Sequence, residues 1–275
     1  MLTLSNDPIR CGTELELSHG IAGVIDHLGA ADMVTATYPH DYHCTCSDCD
    51  CTRAQGWTVQ SDCSLPRGGG EFITPILTFG SDNYNRHMFA MGRSMVLGRP
   101  VADHHGGNHV HVDQRAMDKA GLHRLYRLFL RYQDHELDIL ARAGANTVRS
   151  YNERNSAGGY YGNRNPVGNF WAPWTDEDDE QSTRYDGLLD HRRCYGSWLR
   201  TTGRTVEFRL WNATTSEWRL RLHVGLSVAM VNAARNGEWV EQDDPRPFAE
   251  VIEPYADDET LSYMFAEFKF HGFTA

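Results

Sequence analysis

Three short segments constrain this chain most: Glu14-Leu15-Glu16, His109-Val110-His111 and Glu207-Phe208-Arg209. In each, two side chains suited to metal or phosphate sit two residues apart. A β-strand repeats its side-chain direction every second residue, so each pair points to one face. Apolar residues fill the alternate positions: Leu15 and Leu17, Val110 and Val112, and Val206, Phe208 and Leu210. Each segment is therefore apolar on one face and charged on the other. If the three share a sheet, its polar face gathers carboxylates, imidazoles and a guanidinium. Such a set can hold a divalent cation and a polyphosphate.

Each pair alone has an ordinary reading. Alternation by itself puts two carboxylates on a solvated strand face. The His-x-His pair is rarer, and histidine is the commonest transition-metal ligand. Three such pairs in one chain, with Glu71 directly after Gly68-Gly69-Gly70, carry more weight than any one.

The chain has 275 residues, enough for one large domain or two small ones. Its formal net charge of −11 argues against a general nucleic-acid binder, which needs a basic face. Apolar stretches such as 224–231 fall far short of the roughly 20 residues that span a bilayer. The first eight residues are polar and lack the pattern of an export signal. The expectation is a cytoplasmic protein, with neither nucleic acid nor membrane as a partner. The seven cysteines are odd in number and four are bunched, which favours thiols or metal thiolates over disulfides.

The pattern predicts strands over 11–18, 57–60, 71–76, 109–113 and 204–211, with a turn over 66–70 and a loop over 100–107. Helices are expected over 21–31, 83–97 and 116–143. Another should run from a cap at Ser216 to residue 236, closed by Gly237. Residues 40–53 form a cysteine-rich insertion. Residues 150–181, rich in Gly, Asn, Asp and Tyr, read as a lid that includes Trp171 and Trp174. Residues 1–236 make the main domain. Residues 237–275 form a helical extension packed on it, with Asp257 or Asp258 as a cap. The expected fold is α+β, a curved and mainly antiparallel sheet with its active site on the concave face and helices on the other.

No G-x-x-x-x-G-K-[ST] loop occurs, and no G-x-G-x-x-G follows a strand. If a nucleotide binds, metal and arginine must hold it. Arg192, Arg193, Arg200, Arg204 and Arg209 cluster near the last strand, where surface arginines are also common.

Five motifs occur in a fixed order: Gly12-Thr13-Glu14-Leu15-Glu16; Trp57 with Asp62-Cys63-Ser64-Leu65; Gly70-Glu71-Phe72-Ile73-Thr74-Pro75; Gly107-Asn108-His109-Val110-His111-Val112; and Thr205-Val206-Glu207-Phe208-Arg209-Leu210. This set resembles the amidoligases, relatives of glutamine synthetase and glutamate–cysteine ligase, over roughly residues 10–235. The resemblance implies an ATP-dependent carboxylate–amine ligase with a glutamine synthetase-like catalytic domain, working with ATP and Mg²⁺ or Mn²⁺. Its partners would be a small-molecule or peptide carboxylate and an amine. It further implies that Glu14, Glu16, Glu71 and Glu207 are metal carboxylates. His109 would hold a metal near the transferred phosphoryl, with His111 its neighbour in the motif. Arg209 would contact the phosphoryl or the substrate carboxylate, Asp62 would position the amine, and Arg193 matches an arginine preceding the last strand. The chain departs from the family pattern at Cys63, where glycine is frequent, and at Ser197-Trp198.

Cys44, Cys46, Cys49 and Cys51 have the spacing of a closed tetrahedral Zn²⁺ site, with His43 or Cys63 as a substitute ligand. Reduced thiols or a disulfide pair are the other readings. Four cysteines leave no open position for catalysis, so zinc here would be structural. Cys11 and Cys194 read as isolated buried thiols. Two other functions fit parts of the pattern. His109-Val110-His111-Val112-Asp113 is similar to the start of a metallo-β-lactamase-like HxHxDH run, although Gln114 takes the last position. A zinc-stabilised binding protein without catalysis is the third reading.

Overall fold

The computed structural model describes residues 8–37, 56–62, 65–103, 106–115, 117–132, 136–141, 199–201 and 204–272. The cysteine-rich insertion at 40–53, Cys63, the lid at 150–181, Arg192, Arg193, Cys194 and Ser197-Trp198 lie outside these residues.

The strands are β1 (Arg10–Leu17), β2 (Val34–Thr37), β3 (Trp57–Gln60), β4 (Gly70–Ile73), β5 (Leu77–Thr78), β6 (Gly107–Asp113), β7 (Leu199–Thr201) and β8 (Thr205–Asn212). They form one sheet in the order β2-β3-β4-β1-β6-β8-β7, with β5 paired to β1. From β3 to β7 every neighbouring pair is antiparallel, which makes six strands in succession; β2 joins the edge in parallel with β3. The helices are α1 (Ile21–Ala30), α2 (Asp82–Gly98), α3 (Lys119–Tyr132), α4 (Glu136–Ala141), α5 (Glu217–Arg235), α6 (Phe248–Ile252) and α7 (Asp258–Phe270). The class is α+β, with an open antiparallel sheet and helices packed against it.

Three contacts fix which face the helices take. Thr13, Asn108 and Trp211 occupy sheet positions that point away from the carboxylates. Trp211 stacks on His223 of α5 at 4.9 Å between ring centroids and 10° between planes. Asn108 Nδ2 lies 3.2 Å from His223 Nδ1, and the Thr13 hydroxyl donates to Asn108 Oδ1. Helix α5 therefore covers the face opposite the acidic one. It is buried nearly all round, with Leu220, Val224, Leu226 and Val231 fully enclosed. Leu15, Leu17, Phe72, Val110, Val112, Val206 and Phe208 meet it as one continuous core. Each such burial contributes roughly 1.5–3 kcal/mol, which holds the sheet while its other face concentrates like charge.

Several expectations change in three dimensions. The strand expected over 71–76 ends at Ile73; Thr74 instead bonds back to β1, its N–H to Thr13 O at 2.9 Å and its Oγ1 accepting from Thr13 N at 2.8 Å. The helix expected over 116–143 is described as α3 and α4 on either side of 133–135. Strands β2 and β7 have no counterpart in the sequence reading, being too short for a legible period. Ser216 stands at the N-cap of α5, but its side chain makes no capping bond; its N–H donates to Thr214 Oγ1. Asp257 does cap α7, accepting from Thr260 N at 2.8 Å, and Gly237 follows α5 with φ of 92°.

Strict alternation also fails in β8. Asn108 pairs with Trp211 and Val110 with Phe208, so the single residue His109 faces two, Arg209 and Leu210. This is a β-bulge, which resets the side-chain direction. Phe208 and Trp211, three apart, both serve the core. Trp211, rather than Leu210, continues the apolar row.

Among the described residues no helix is long and apolar enough to cross a membrane.

Candidate active site

The acidic wall is set by register. Glu14 pairs with His109 across β1 and β6, Glu16 pairs with Glu71 across β1 and β4, and His111 pairs with Glu207 across β6 and β8. Residues opposite one another on antiparallel strands have Cβ atoms about 4.5–5.5 Å apart, so their functional groups must meet. Segments distant in sequence therefore place seven side chains on one surface: Glu14, Glu16, Glu71, His109, His111, Glu207 and Arg209. All but Glu14 and His111 are buried.

His109 is the centre. Its Nδ1 lies 3.3 Å from Glu14 Oε2 and 3.8 Å from Glu207 Oε1, while its Nε2 lies 3.7 Å from Glu16 Oε1. Two triads suited to a cation share the ring, Glu14–His109–Glu207 and Glu16–Glu71–His109, each with its ligand atoms within 4.8 Å of one another. A neutral imidazole has one lone pair and one N–H. His109 can therefore ligate in only one triad at a time and must donate toward a carboxylate in the other, the usual way an outer carboxylate orients a metal-bound histidine.

The remaining groups support this arrangement. His111 Nε2 lies 3.0 Å from Glu14 Oε1. Arg209 NH1 lies 3.4 Å from Glu207 Oε1. Gln60, at the end of β3, donates from Nε2 to Glu71 Oε2. The Gly107 N–H donates to Glu16 Oε2 at 2.6 Å. A Cβ on Gly107 would stand 3.2 Å from both Glu16 Oε2 and His109 Nε2, so a larger residue in this corner would have to displace one of them by a few tenths of an ångström.

Electrostatics separate the carboxylates. Burial would raise Glu14, but His111 and His109 outweigh it and hold the group well below the ordinary carboxylate value. Glu71 is pushed up to about 9, by burial first, then by Glu14, and less by Glu16 and Asp62; the Gln60 hydrogen bond opposes this.

Behind the wall lies a second network. The Thr13 hydroxyl donates to Asn108 Oδ1, so Asn108 Nδ2 is the donor to His223 Nδ1. That places the His223 proton on Nε2. Burial drives the His223 pKa down to about 3, helped by Arg219 and opposed by a backbone bond to Leu140, so the ring is neutral. Trp211 Nε1 donates to Ser227 Oγ at 2.9 Å, and Ser227 donates to the His223 carbonyl at 2.8 Å. Asn108 precedes His109 and Trp211 follows Arg209-Leu210, and the two pair with each other, so this network holds both strands at one end of the bulge.

The residues expected at the site therefore fall into two groups. Glu14, Glu16, Glu71, His109, His111, Glu207 and Arg209 converge, and Asp62 is buried near Glu71. Arg193 and the cysteines Cys44, Cys46, Cys49 and Cys51 lie outside the described residues. Sequence reasoning missed Gln60, the Gly107 amide and the Thr13–Asn108–His223 network. Gly107 and Asn108 sit within a quoted motif, but nothing local shows their partners. Cys11 is a free buried thiol whose pKa burial raises to about 12, which makes it inert. The chain matches no protein-family model and no curated protein.

Proposed function

We propose that this protein is an ATP-dependent carboxylate–amine ligase, forming an amide through an acyl-phosphate intermediate on a glutamine synthetase-like catalytic domain. The observation that carries the reading is the convergence of Glu14, Glu16, Glu71 and Glu207 around His109. The order of five motifs similar to those of the amidoligases adds to it.

The donor set fits Mg²⁺ or Mn²⁺: carboxylate oxygens with one imidazole, on a wall where burial first and then Glu14 push Glu71 upward. His109 Nε2 is buried, has no hydrogen-bond partner among the described residues and is aimed toward Glu16, as a ligand or donor in the inner triad would be. Glu14, Glu207 and His109 would hold one cation and Glu16 and Glu71 a second. Such cations supply charge neutralisation for the triphosphate oxygens.

In the first half-reaction a substrate carboxylate oxygen attacks the terminal phosphorus of ATP, and ADP leaves. In the second the amine nitrogen attacks the acyl carbon, phosphate leaves and the nitrogen loses a proton. The protein's part is positioning and electrostatic preorganisation. Arg209, buried beside Glu207, would supply a fixed positive charge to the transferred phosphoryl. Asp62, near Glu71, would orient the amine and receive its proton. The hydrolase reading needs Asp113 as a ligand beside the two histidines, yet Asp113 is engaged by Arg10 and Arg115. The zinc-stabilised binding reading leaves the acidic wall without a use.

The test is to incubate purified protein with ATP, Mg²⁺ and pools of carboxylates and amines, and to measure ADP. Turnover should require both an acid and an amine. It should vanish in Glu207→Ala and His109→Ala with circular dichroism unchanged; unchanged turnover in both variants would refute the site.

A further inference from the structure

The polar face of the sheet changes sign along its strands. Arg10 and Asp113 lie one residue beyond the Cys11–Val112 pair, and Asp113 pairs with Thr205, in the row just past Gly12, His111 and Glu207. Asp113 Oδ2 lies 3.5 Å from Arg10 Nε and also takes the Arg115 guanidinium. Arg204 lines the same end. Three arginines and one aspartate thus line this end.

These arginines border a cavity of about 320 Å³. Gly12, where β1 presents no side chain, and Ile73, Pro75 and Ile76 also line it. Glu14 and His111 form its inner end, so it opens directly onto the acidic wall. The volume is at the bottom of the range of about 300–1,000 Å³ for small-molecule sites, which suits a metabolite rather than a peptide. Among the described residues no Phe, Tyr or Trp lines it, so none of them offers a platform for a nucleobase.

We propose that this cavity holds the non-reacting part of the carboxylate substrate, and that this part ends in a second anionic group, carboxylate or phosphate, bound by Arg10, Arg115 and Arg204. The assignment rests on the ligase reading for which end of the substrate reacts. Strand rise sets the length. At about 3.4 Å per residue, Arg10 stands roughly 7 Å beyond Gly12 and roughly 14 Å beyond Glu14 along β1. The two acidic ends should therefore be separated by roughly 7–14 Å. A planar guanidinium binds carboxylate or phosphate through paired hydrogen bonds, which a neutral tail cannot replace.

The probes are defined acids titrated calorimetrically into the full-length protein with Mg²⁺ and no nucleotide. The series is adipate, suberate and sebacate, the matched monocarboxylates hexanoate, octanoate and decanoate, and the phosphonate-terminated analogue of each monocarboxylate. At least one doubly anionic acid should bind about tenfold more tightly than its monocarboxylate, the factor one charge-assisted hydrogen bond supplies. Whether carboxylate or phosphonate gains more identifies the terminal group. The advantage should disappear in the exposed double variant Arg10→Gln/Arg204→Gln with its melting temperature retained. Equal binding of monoanionic and doubly anionic acids, or an advantage that survives the double variant, overturns the subsite. So does a double variant that weakens ATP binding and leaves diacid binding intact. Because the titration needs no turnover, arginine-dependent diacid binding supports the subsite even if no ADP forms. ADP formation that is indifferent to the second anion overturns the subsite and leaves the ligase reading standing.

Discussion

Glu16 and Glu71 stand directly opposite each other on adjacent antiparallel strands, two buried carboxylates facing one another across β1 and β4. Like charges at paired positions oppose folding unless a proton or a cation sits between them. Glu71→Gln should therefore stabilise the metal-free protein by about 1 kcal/mol, a rise of roughly 2–4 °C in melting temperature. The same change should reduce the added stabilisation that Mn²⁺ gives the wild type, since a ligand is lost. Differential scanning calorimetry with Mn²⁺ and with a chelator reads both effects. A lower melting temperature in the metal-free variant would contradict the repulsion.

His109 and His111 should not be equivalent. His109 belongs to both triads, so His109→Ala removes ligation and orientation together. His111 is in neither triad; its Nε2 lies 3.0 Å from Glu14 Oε1 and its Nδ1 3.3 Å from Thr205 Oγ1. His111→Ala should weaken metal binding by about 10–100-fold, the usual cost of losing an outer partner, and leave measurable turnover. Mn²⁺ titration followed by electron paramagnetic resonance separates the two; equal losses would contradict the central role of His109.

Gly107→Ala is a test of the corner. The added methyl would press on Glu16 Oε2 and His109 Nε2, each 3.2 Å away, and would leave the N–H donor in place. Metal affinity and turnover should fall at least about tenfold, or about 1.4 kcal/mol, with secondary structure unchanged. Wild-type affinity would mean that the corner yields without cost.

The buried imidazole of His223 predicts a pH dependence of stability. Its folded-state pKa is depressed from 6.5 to about 3. Below 6.5 the unfolded chain takes up a proton that the folded chain does not. The contribution is thus fully present above 6.5 and is lost as pH falls toward 3, by at most about 1.4 kcal/mol per pH unit. Urea unfolding at about pH 7 and about pH 5 should show the loss, and His223→Gln should flatten the slope. An unchanged slope in the variant would show that other groups carry it.

Helix α5 offers a steric test of the C-terminal packing. A Cβ on Gly225 would lie 2.0 Å from Thr260 Oγ1 and 3.0 Å from Thr260 Cβ, on a β-branched side chain whose N–H is tied to Asp257. Alanine gains about 1 kcal/mol of helix propensity over glycine, but the overlap with α7 is larger. Gly225→Ala should destabilise by about 1–3 kcal/mol in chemical denaturation. Stabilisation would mean that α7 moves freely on α5.

Much of the site was legible before any coordinates. Alternation at Glu14-Leu15-Glu16, His109-Val110-His111 and Glu207-Phe208 assigns each side chain to a face, because direction along a strand depends on the strand alone. Leu15, Val110 and Phe208 accordingly lie in the core. The bulge at Arg209-Leu210 broke that rule, since an extra residue is a property of two strands and not of one. Likewise Gln60, the Gly107 amide and His223 acquire meaning only from partners 11, 91 and 115 residues away.

Local period thus settled which residues are inside and which can carry chemistry: leucines, valines and phenylalanines on one side, carboxylates and imidazoles on the other. Register settled who meets whom. Setting Glu14 against His109, Glu16 against Glu71 and His111 against Glu207 depends on hydrogen-bonded pairing between strands far apart in the chain. A slip of one residue in any pairing would send a whole set of side chains to the opposite face, and no feature of a single strand prevents it. Only the packed core and the clamp around His223 select the register that makes one acidic wall with a cationic end.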